Sequence, residues 1–456
     1  MYDLVVIGGG PGGYAAAIRA SQLGGQVALV EAAEIGGTCV NRGCIPSKVW
    51  QRTAYLLHQL RQAHEFGIQA EVQAVDLQAI VARKNGVAGD IRMGMEGLLG
   101  SNRVEIVRGR AVLQNAQEVD VEGTVLAARK IMIATGSCLD ILDLPGLEEA
   151  ALTTNQILEL DRVPSSLLVW GGDHIQVEIA STLSVLGCKV HLISPQPRIL
   201  PHEDHDTSQR IAQALREAGV EVLSRYTLEA VRPSANGCEA LLTGPDERRL
   251  EVEKVLLAAR KPNSAHLGLD QVGVKVDPDG AIAVNERLET SVPGIYAIGD
   301  VTGGWMLSHA ASSMAVTAAE NAMGQARKFP FNLIPRGIWT IPEVGAVGLS
   351  EEEAENKGFD VEVGDFPYAI NGLAMARNAM SGAVKIVSEA QYGEILGVHI
   401  VGANATDLVG EAVLAMQLEC TAKALAHSIR VHPTFSEAVV DAGRDAMQWA
   451  LYLPPR

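Results

Sequence analysis

The stretch DLVVIGGGPGGYAAAIRASQLGGQVALVE, at residues 3–31, decides the fold. It runs from an apolar strand pattern through a glycine turn and a helical pattern into a second apolar run that ends at Glu31. In such a unit Gly8 permits a tight turn, Gly10 lets the backbone approach a pyrophosphate, and Gly13 lets the helix pack closely on the strand. The first N–H groups of the helix would bind phosphate, and Glu31 would accept hydrogen bonds from ribose hydroxyls. The stretch therefore predicts a dinucleotide-binding βαβ unit.

The same pattern occurs a second time. SLLVWGGDHIQVEIASTLSVLGCKVHLIS, at residues 166–194, lies 163 positions farther along and matches strand, glycines, helix and second strand in register. Gly171 stands opposite Gly8, and the helix expected at residues 14–23 has its counterpart in the second copy. Two copies predict two nucleotide-binding domains in an α/β fold.

The C-terminal part has a different pattern. Alternating apolar stretches at 383–387 and 396–401 indicate an antiparallel sheet, and helical patterns follow at 407–418 and 437–449. We therefore expect two Rossmann-like domains and an α+β domain, in four segments: a first dinucleotide domain at 1–147, a second at 148–265, a return to the first at 266–328, and the α+β domain at 329–456.

Bulk properties exclude several classes of protein. The 456 residues are too many for one core, and the net charge of −17 would repel the phosphates of a nucleic acid. No apolar run reaches the roughly 18 residues that a membrane span needs, and no signal peptide is evident. Six cysteines in so long a chain do not indicate a secreted disulfide scaffold, so we expect a reducing cytoplasmic setting.

Two of those cysteines lie close together. Cys39 and Cys44, in GGTCVNRGCIPSK at residues 36–48, have four residues between them. Zinc would need further ligands that nothing nearby supplies, so we expect no metal. A helix predicted to begin after Gly43 would hold Cys44 in its first turn, where the positive helix end and Lys48 stabilise a thiolate. The pair is therefore predicted to be a reactive dithiol.

GGTCVNRGCIPSK resembles the redox motif of the dihydrolipoamide dehydrogenases, within the pyridine nucleotide–disulfide oxidoreductases, and the resemblance covers the whole chain. It implies an FAD-binding first domain, an NAD-type second domain and a C-terminal dimerisation domain. The residues that it assigns to FAD are Gly8, Gly10, Gly13, Glu31, Thr38, Lys48, Ala111, Thr135, Gly136, Asp300, Met306, Leu307 and His309.

The resemblance also implies a catalytic set. Lys48 and Glu178 match the family's pair near the reactive flavin nitrogen, and HPTFSE supplies His432 and Glu437. In the family this histidine comes from the partner subunit of a homodimer and serves as base for the outer cysteine. The implied reaction takes electrons from dihydrolipoamide, free or on a lipoylated carrier protein, through Cys39 and Cys44 to FAD, and then to NAD or another acceptor.

The second glycine unit departs from that pattern. Asp173, Gln176 and Ser194 stand where the first unit has glycine, glycine and glutamate, so only Gly171 and, later in the chain, Arg260 remain of the expected NAD residues. A side chain in the turn blocks the pyrophosphate, and the charge of Asp173 would face it. NAD therefore stays possible, but with a degraded binding motif.

Two other interpretations stay open. The enzyme could be a specialised thiol–disulfide oxidoreductase with a different electron acceptor. It could instead be a flavoprotein scaffold or redox sensor without turnover, which the eroded second unit favours. The intact cysteine, lysine–glutamate and histidine–glutamate sets oppose the scaffold, because a scaffold has no use for all three.

Overall fold

The structure is a computed structural model that describes residues 1–235 and 237–454. Its first part supplies strands and helices in the order β1 (Tyr2–Ile7), α1 (Pro11–Gln22), β2 (Val27–Glu31), α2 (Gly37–Arg42), α3 (Cys44–Arg61), α4 (Leu77–Ser101), β3 (Glu105–Arg108), β4 (Ala111–Asn115), β5 (Glu118–Val121), β6 (Thr124–Ile133) and β7 (Ser137–Leu139).

The next part contains α5 (Leu147–Ala150), β8 (Ala151–Thr153), α6 (Thr154–Ile157), β9 (Ser166–Trp170), α7 (His174–Val185), β10 (Lys189–Ser194), α8 (His205–Glu217), β11 (Glu221–Ser224), β12 (Thr227–Ser234), β13 (Gly237–Thr243), β14 (Arg248–Val252), β15 (Lys254–Leu257) and β16 (Arg260–Pro262). The chain then forms α9 (Leu269–Val272), β17 (Ile295–Ala297), a 3₁₀ turn at Gly299–Thr302 and α10 (Ser308–Ala322).

The last part contains β18 (Arg336–Ile338), β19 (Glu343–Gly348), α11 (Glu351–Asn356), β20 (Val361–Pro367), α12 (Gly372–Ala376), β21 (Ala383–Glu389), β22 (Ile395–Gly402), α13 (Ala405–Gln417), α14 (Ala422–Ala426) and α15 (Ser436–Ala446). Short 3₁₀ turns lie at Ala63–Phe66, Phe331–Leu333 and Tyr368–Ile370.

The first sheet is a parallel sheet that the chain leaves and later rejoins. Strands β3, β2, β1, β6 and β17 pair in that order, all in parallel. The long strand β6 also pairs at its start with the antiparallel β5, which pairs with β4. Because β17 pairs with β6, the segment after the second domain completes the first sheet.

The second sheet repeats the parallel arrangement, with strands in the order β11, β10, β9, β15 and β8. A separate antiparallel sheet of β12, β13 and β14 covers part of it. The α/β architecture and the two Rossmann-like units are confirmed, and the limits of the four predicted segments stay predictions.

The two βαβ units have the same backbone. Helices α1 and α7 both contain 12 residues and begin 163 positions apart, as the sequence repeat requires. Gly8 and Gly171 have φ values of 104° and 107°, a conformation that favours glycine. The predicted start of the first helix at residue 14 was wrong, because Pro11 fits the first helical position and lets α1 begin three residues earlier.

The C-terminal domain is an antiparallel sheet in the order β18, β19, β22, β21 and β20. The predicted apolar stretches lie on β21 and β22, which are nearly fully buried and pair with each other. Helices α13 and α15 cover the sheet, close to the predicted positions. No helix in residues 1–235 or 237–454 is both long and apolar enough to span a membrane.

Buried ion pairs join this domain to the second dinucleotide domain. The Arg336 guanidinium donates to both carboxylate oxygens of Glu203 at 2.9 and 3.0 Å, and both side chains are almost fully buried. The Lys385 ammonium lies 3.2 Å from Asp204 and 2.6 Å from Glu351. Burial raises the pKa of Glu203, and Arg336 opposes that rise, so the carboxylate depends on its partner to stay charged.

We expect Arg336→Met to lower the free energy of unfolding by about 3 kcal/mol or more, because it leaves the Glu203 carboxylate buried without its cation. The measurement is the urea midpoint of unfolding. Arg198→Met is the matched control, since Arg198 pairs with Glu352 across the same domain boundary at the surface, at 3.4 Å. Equal midpoints for the two variants would contradict the expected role of the buried pair.

Candidate functional site

One cavity of about 650 Å³ lies where the first glycine turn, the starts of α3 and α10, and one side of α7 meet. The predicted site residues that line it are Gly8, Gly10, Glu31, Thr38, Cys39, Cys44, Lys48, Thr135, Gly136, Glu178, Arg260, Asp300, Met306, Leu307 and His309. Five other predicted residues lie outside the lining: Gly13, Ala111, Gly171, His432 and Glu437. The structure therefore brings most of the sequence-predicted set into one place.

The glycine turn forms one end of the cavity. A Cβ on Gly8 would lie 2.3 Å from the Ala134 carbonyl oxygen, and a Cβ on Gly13 only 1.7 Å from the Gly8 carbonyl oxygen, so both positions require glycine. A Cβ on Gly10 would lie 3.9 Å from the Gly37 Cα, which is ordinary contact, and no side chain caps the helix that begins after Gly10. The free N–H groups and the positive end of α1 suit the pyrophosphate of FAD.

Two carboxylates lie along the same cavity. Glu31, at the end of β2, accepts hydrogen bonds from the backbone N–H groups of Gly9 at 2.6 Å and Ala33 at 2.7 Å, which orient it. Asp300 follows β17 and accepts a hydrogen bond from the Ser137 hydroxyl at 2.6 Å. Both carboxylates are therefore positioned at the carboxyl ends of strands of the first sheet, where such folds bind nucleotides.

Arg260, predicted for the second dinucleotide, lines the common cavity and contacts the first domain. Its Nε donates to the Ser137 hydroxyl at 2.8 Å, and the antiparallel pairing of β16 with β7 holds it there. It therefore forms a hydrogen-bonded chain with Ser137 and Asp300, and its role toward NAD stays a prediction. The reason for these contacts is topological, since β16 pairs with β7 of the first domain and leaves the second sheet.

Ala111 contributes no side chain to the cavity. It lies on β4, is 8% exposed, and packs in a core cluster with Leu113 and Val121. A contact between its backbone and FAD stays a prediction.

The two cysteines lie on consecutive helices. Cys39 is within α2 and Cys44 is the first residue of α3, with Gly43 forming the link. Both thiols line the cavity and are half buried. The Cys44 Sγ also lies 3.2 Å from the Ser308 hydroxyl oxygen, at the start of α10.

The environment makes the two thiols unequal. Their surroundings raise the pKa of Cys39 and lower the pKa of Cys44 from 9.0 to about 7, and the hydrogen bond between the two thiols is the largest cause of both shifts, although burial opposes the second. Ser308 and the Lys48 charge lower the Cys44 pKa further, and the Glu178 charge raises it. Cys44 is therefore the member of the pair that ionises first.

Glu178 holds Lys48 beside the cysteines. The Lys48 ammonium donates to Glu178 at 3.0 Å, and the Gln51 amide donates to the same carboxylate oxygen at 2.9 Å. The other oxygen accepts the Trp339 backbone N–H at 3.0 Å, and Lys48 lies 3.9 Å from the centroid of the Trp339 ring. The predicted pair is thus part of a four-residue cluster that joins three domains.

Sequence reasoning missed Gln51, Trp339 and Ser308. Gln51 follows Lys48 by three positions on α3, so helical spacing could have indicated it. Trp339 and Ser308 reach the site from distant segments, and nothing in their local sequence indicates a contact with Lys48 or Cys44.

His432 and Glu437 form the predicted dyad at a distance from the cavity. Glu437 bonds the His432 Nδ1 at 2.9 Å and accepts the Thr434 backbone N–H at 2.7 Å. The His432 side chain is 78% exposed, and the nearby apolar side chains of Ile429 and Val431 are 94% and 77% exposed. In the single chain, the imidazole therefore faces outward.

The second glycine turn has a backbone like that of the first turn, but its side chains differ. A Cβ on Gly171 would lie 2.8 Å from the amide nitrogen of Gln176, so the Gln176 side chain lies between α7 and its turn, where Gly13 has only hydrogen. Gln176 is 4% exposed, and its carbonyl oxygen has no hydrogen-bond partner among the described residues. The third glycine of the first turn is thus replaced here by a buried amide side chain that lies against Gly171.

The other two replacements also work against a bound pyrophosphate and ribose. Asp173 occupies the position before α7 without capping it, and its side chain is 53% exposed. Ser194 is fully buried, and its hydroxyl accepts the Gln196 backbone N–H at 3.2 Å. The residues at this turn do not fit a dinucleotide bound in the way that the first turn provides.

A dinucleotide cavity that contains an unequal pair of cysteines defines a flavin-linked disulfide oxidoreductase. Comparisons with known proteins agree with this class. The model of the pyridine nucleotide-disulphide oxidoreductases matches residues 2–315, and the model of that family's dimerisation domain matches residues 334–443. The chain belongs to the pyridine nucleotide-disulphide oxidoreductase family, and FAD is its cofactor.

Individual relatives resemble the chain over nearly its full length. A dihydrolipoyl dehydrogenase of Thermus scotoductus is 39% identical over 99% of this chain and 99% of its own. A leghemoglobin reductase of Vigna unguiculata is 37% identical over 96% of this chain and 86% of its own. The crystal structure of LpdA from Mycobacterium tuberculosis superposes with a TM-score of 0.89 at 27% identity, covering 97% and 99% of the two chains.

We expect Cys44, and not Cys39, to give the long-wavelength absorbance of a thiolate beside a flavin. Cys39→Ser should keep this absorbance and Cys44→Ser should lose it. In the two-electron-reduced protein the absorbance should grow as pH rises through about 7, because a lowered pKa populates the thiolate above that value. The opposite result for the two variants would reverse the roles of the cysteines.

Proposed function

We propose that the enzyme oxidises dihydrolipoamide, free or attached to a carrier protein, through Cys39 and Cys44. The observation that carries this proposal is the pair of unequal thiols inside the FAD cavity. The full-length similarity to dihydrolipoyl dehydrogenases supports the choice of dithiol. We also propose a reducing cytoplasmic setting, where small dithiols are available to the pair.

The dithiol reaction is two successive exchanges. A substrate thiolate attacks the Cys39 sulfur, the Cys39–Cys44 bond breaks, and Cys44 leaves as a thiolate. The second substrate thiol then attacks the mixed disulfide, forms the substrate's own disulfide and releases Cys39. One substrate proton passes to Cys39 and the other is released, while the electron pair is held at Cys44.

The chain's own residues favour this direction of exchange. The lower pKa of Cys44 makes it the better leaving group, and the higher pKa of Cys39 keeps that sulfur protonated once it is released. The glycine turn, Glu31 and Asp300 would hold FAD in the cavity beside Cys44, where the cofactor would supply an acceptor for the electron pair.

His432 is proposed to serve the cysteines of a second chain. Its exposure and its absence from the cavity of its own chain support this, as do the exposed apolar residues beside it. Glu437 holds the ring through Nδ1, which leaves Nε2 to accept a proton from the substrate thiol. The proposed enzyme is therefore a homodimer with shared active sites.

Anaerobic mixing with dihydrolipoamide should reduce the bound flavin within the mixing time of a stopped-flow experiment. His432→Gln should slow that reduction by about a hundredfold or more, because the thiol loses its base. His427→Gln is the control, since its ring bonds a backbone carbonyl of its own helix. Failure of dihydrolipoamide to reduce the unmodified protein would exclude this substrate.

Mixing Cys39→Ser and His432→Gln chains tests the shared site. Random pairing of the two chains should restore about a quarter of the sites, because one of the two sites in each mixed dimer has both residues. No recovery after verified exchange of subunits would indicate that both residues serve the same chain.

A second candidate differs in the acceptor alone, and the Gln176 side chain favours it. Family members use pyridine nucleotides, but here the turn of the second domain carries Asp173 and Gln176 in place of two glycines, and the half-exposed Asp173 carboxylate would repel a pyrophosphate. We propose that NAD binds weakly and that another acceptor reoxidises the flavin.

Replacing Asp173→Gly, Gln176→Gly and Ser194→Glu together should improve NAD-linked turnover by about a hundredfold, since each lost element weakens binding by roughly 1 kcal/mol or more. The improvement should appear in the KM for NAD. Reduction by dihydrolipoamide is the internal control and should not change. Saturation of the unmodified enzyme by micromolar NAD would exclude a different acceptor.

A further inference from the structure

We propose that Ser308 is a catalytic residue whose hydroxyl donates a hydrogen bond to the Cys44 thiolate and stabilises the reduced cysteine pair. The inference rests on the redox role proposed for Cys44. It does not depend on which dithiol or which acceptor the enzyme uses.

The contact joins the first residues of two helices. The Ser308 oxygen lies 3.2 Å from the Cys44 sulfur, and Ser308 begins the 15-residue helix α10 as Cys44 begins the 18-residue helix α3. Neither helix start is capped by a side-chain hydrogen bond. The positive ends of both helices therefore face the sulfur, and Ser308 adds a proton donor at hydrogen-bond distance.

Neighbouring hydroxyls do not fill this role. The Ser47 hydroxyl donates to the Cys44 carbonyl oxygen at 3.0 Å, and the Ser312 hydroxyl, one turn farther along α10, donates to the Pro11 carbonyl oxygen at 3.4 Å. Lys48 is charged, but its ion pair with Glu178 offsets much of its effect on the thiolate. Ser308 is thus the neighbouring hydroxyl that is within hydrogen-bond distance of the Cys44 sulfur, in addition to the Cys39 thiol.

The contact depends on the redox state. In the disulfide the Cys44 sulfur is neutral and accepts hydrogen bonds weakly, whereas the thiolate accepts them strongly because it is charged. Once the Cys44 sulfur is ionised, Ser308 is the only one of these two groups that can donate a hydrogen bond in this contact. The hydrogen bond therefore strengthens as the pair is reduced, which favours electron entry at Cys44 and lowers the proton affinity of that sulfur.

The test uses the FAD-loaded protein, reduced by two electrons with dithionite, so that no dithiol or acceptor is involved. The readout is the long-wavelength thiolate absorbance as a function of pH. Ser308→Ala should raise the midpoint by about one pH unit, a tenfold rise in proton affinity, because a hydrogen bond to a charged group is lost. Ser308→Thr should restore the unmodified midpoint, and Ser312→Ala should leave it unchanged.

If Ser308→Ala does not retain FAD, the test uses the FAD-free proteins. Peptide mass spectrometry then follows the rate at which Cys44 is alkylated as a function of pH. The midpoint of that pH dependence should show the same tenfold rise in the proton affinity of Cys44. An unchanged midpoint in Ser308→Ala would overturn the proposal, as would an equal change in Ser312→Ala. If the unmodified protein lacks the absorbance, the role proposed for Cys44 itself is wrong. That result is distinguishable from an unchanged midpoint in Ser308→Ala, which would contradict only the role proposed for Ser308.

Discussion

The contact between Gly13 and Gly8 is the constraint on which the first site depends. With no side chain at either position, α1 packs directly against the turn that leaves β1, and its first N–H groups face the cavity. The parallel strands bring the ends of β2, β6 and β17 to the same edge, so that Glu31 and Asp300 lie along that cavity. The cysteine helices are then placed against the phosphate end, where a Cβ on Gly37 would touch Gly10.

The second unit shows what happens when that constraint is relaxed. Its turn has the same φ at Gly171 and the same helix length, yet it accepts the whole side chain of Gln176. The backbone conformation of the turn is therefore kept while the side chains at the turn differ. The sheet, the helix and the buried ion pairs to the C-terminal domain need the conformation, whereas only a bound dinucleotide needs the empty space in the turn.

The sequence was sufficient for the parts of the structure that follow from local pattern. The repeat predicted both Rossmann-like units, and the helical pattern after Gly43 predicted the start of α3 at Cys44. The sequence did not predict the contacts that depend on pairing between distant segments. The contacts of Arg260 with the first domain follow from the pairing of β16 with β7, and a three-residue strand gives too weak a pattern to predict its partner. Ser308 and Trp339 were missed because single polar or aromatic residues at the ends of elements do not indicate what they contact in space.

The cavity therefore has two halves, and each half must meet a different chemical requirement. The dithiol half requires two sulfurs of different acidity, and the chain supplies that difference from several directions: the thiol–thiol hydrogen bond, two helix ends, and the Lys48 charge that Glu178 moderates. The half toward α7 requires space for the acceptor. It is lined by Ile175, Ile179 and Leu183 and lies beside the second glycine turn. Because Glu178 lies on α7, the helix that carries the altered turn also fixes Lys48 next to Cys44. A different acceptor would therefore still require α7 to stay in place, and the three replacements are compatible with that, since Asp173 lies directly before α7, Gln176 in its first turn and Ser194 at the end of β10.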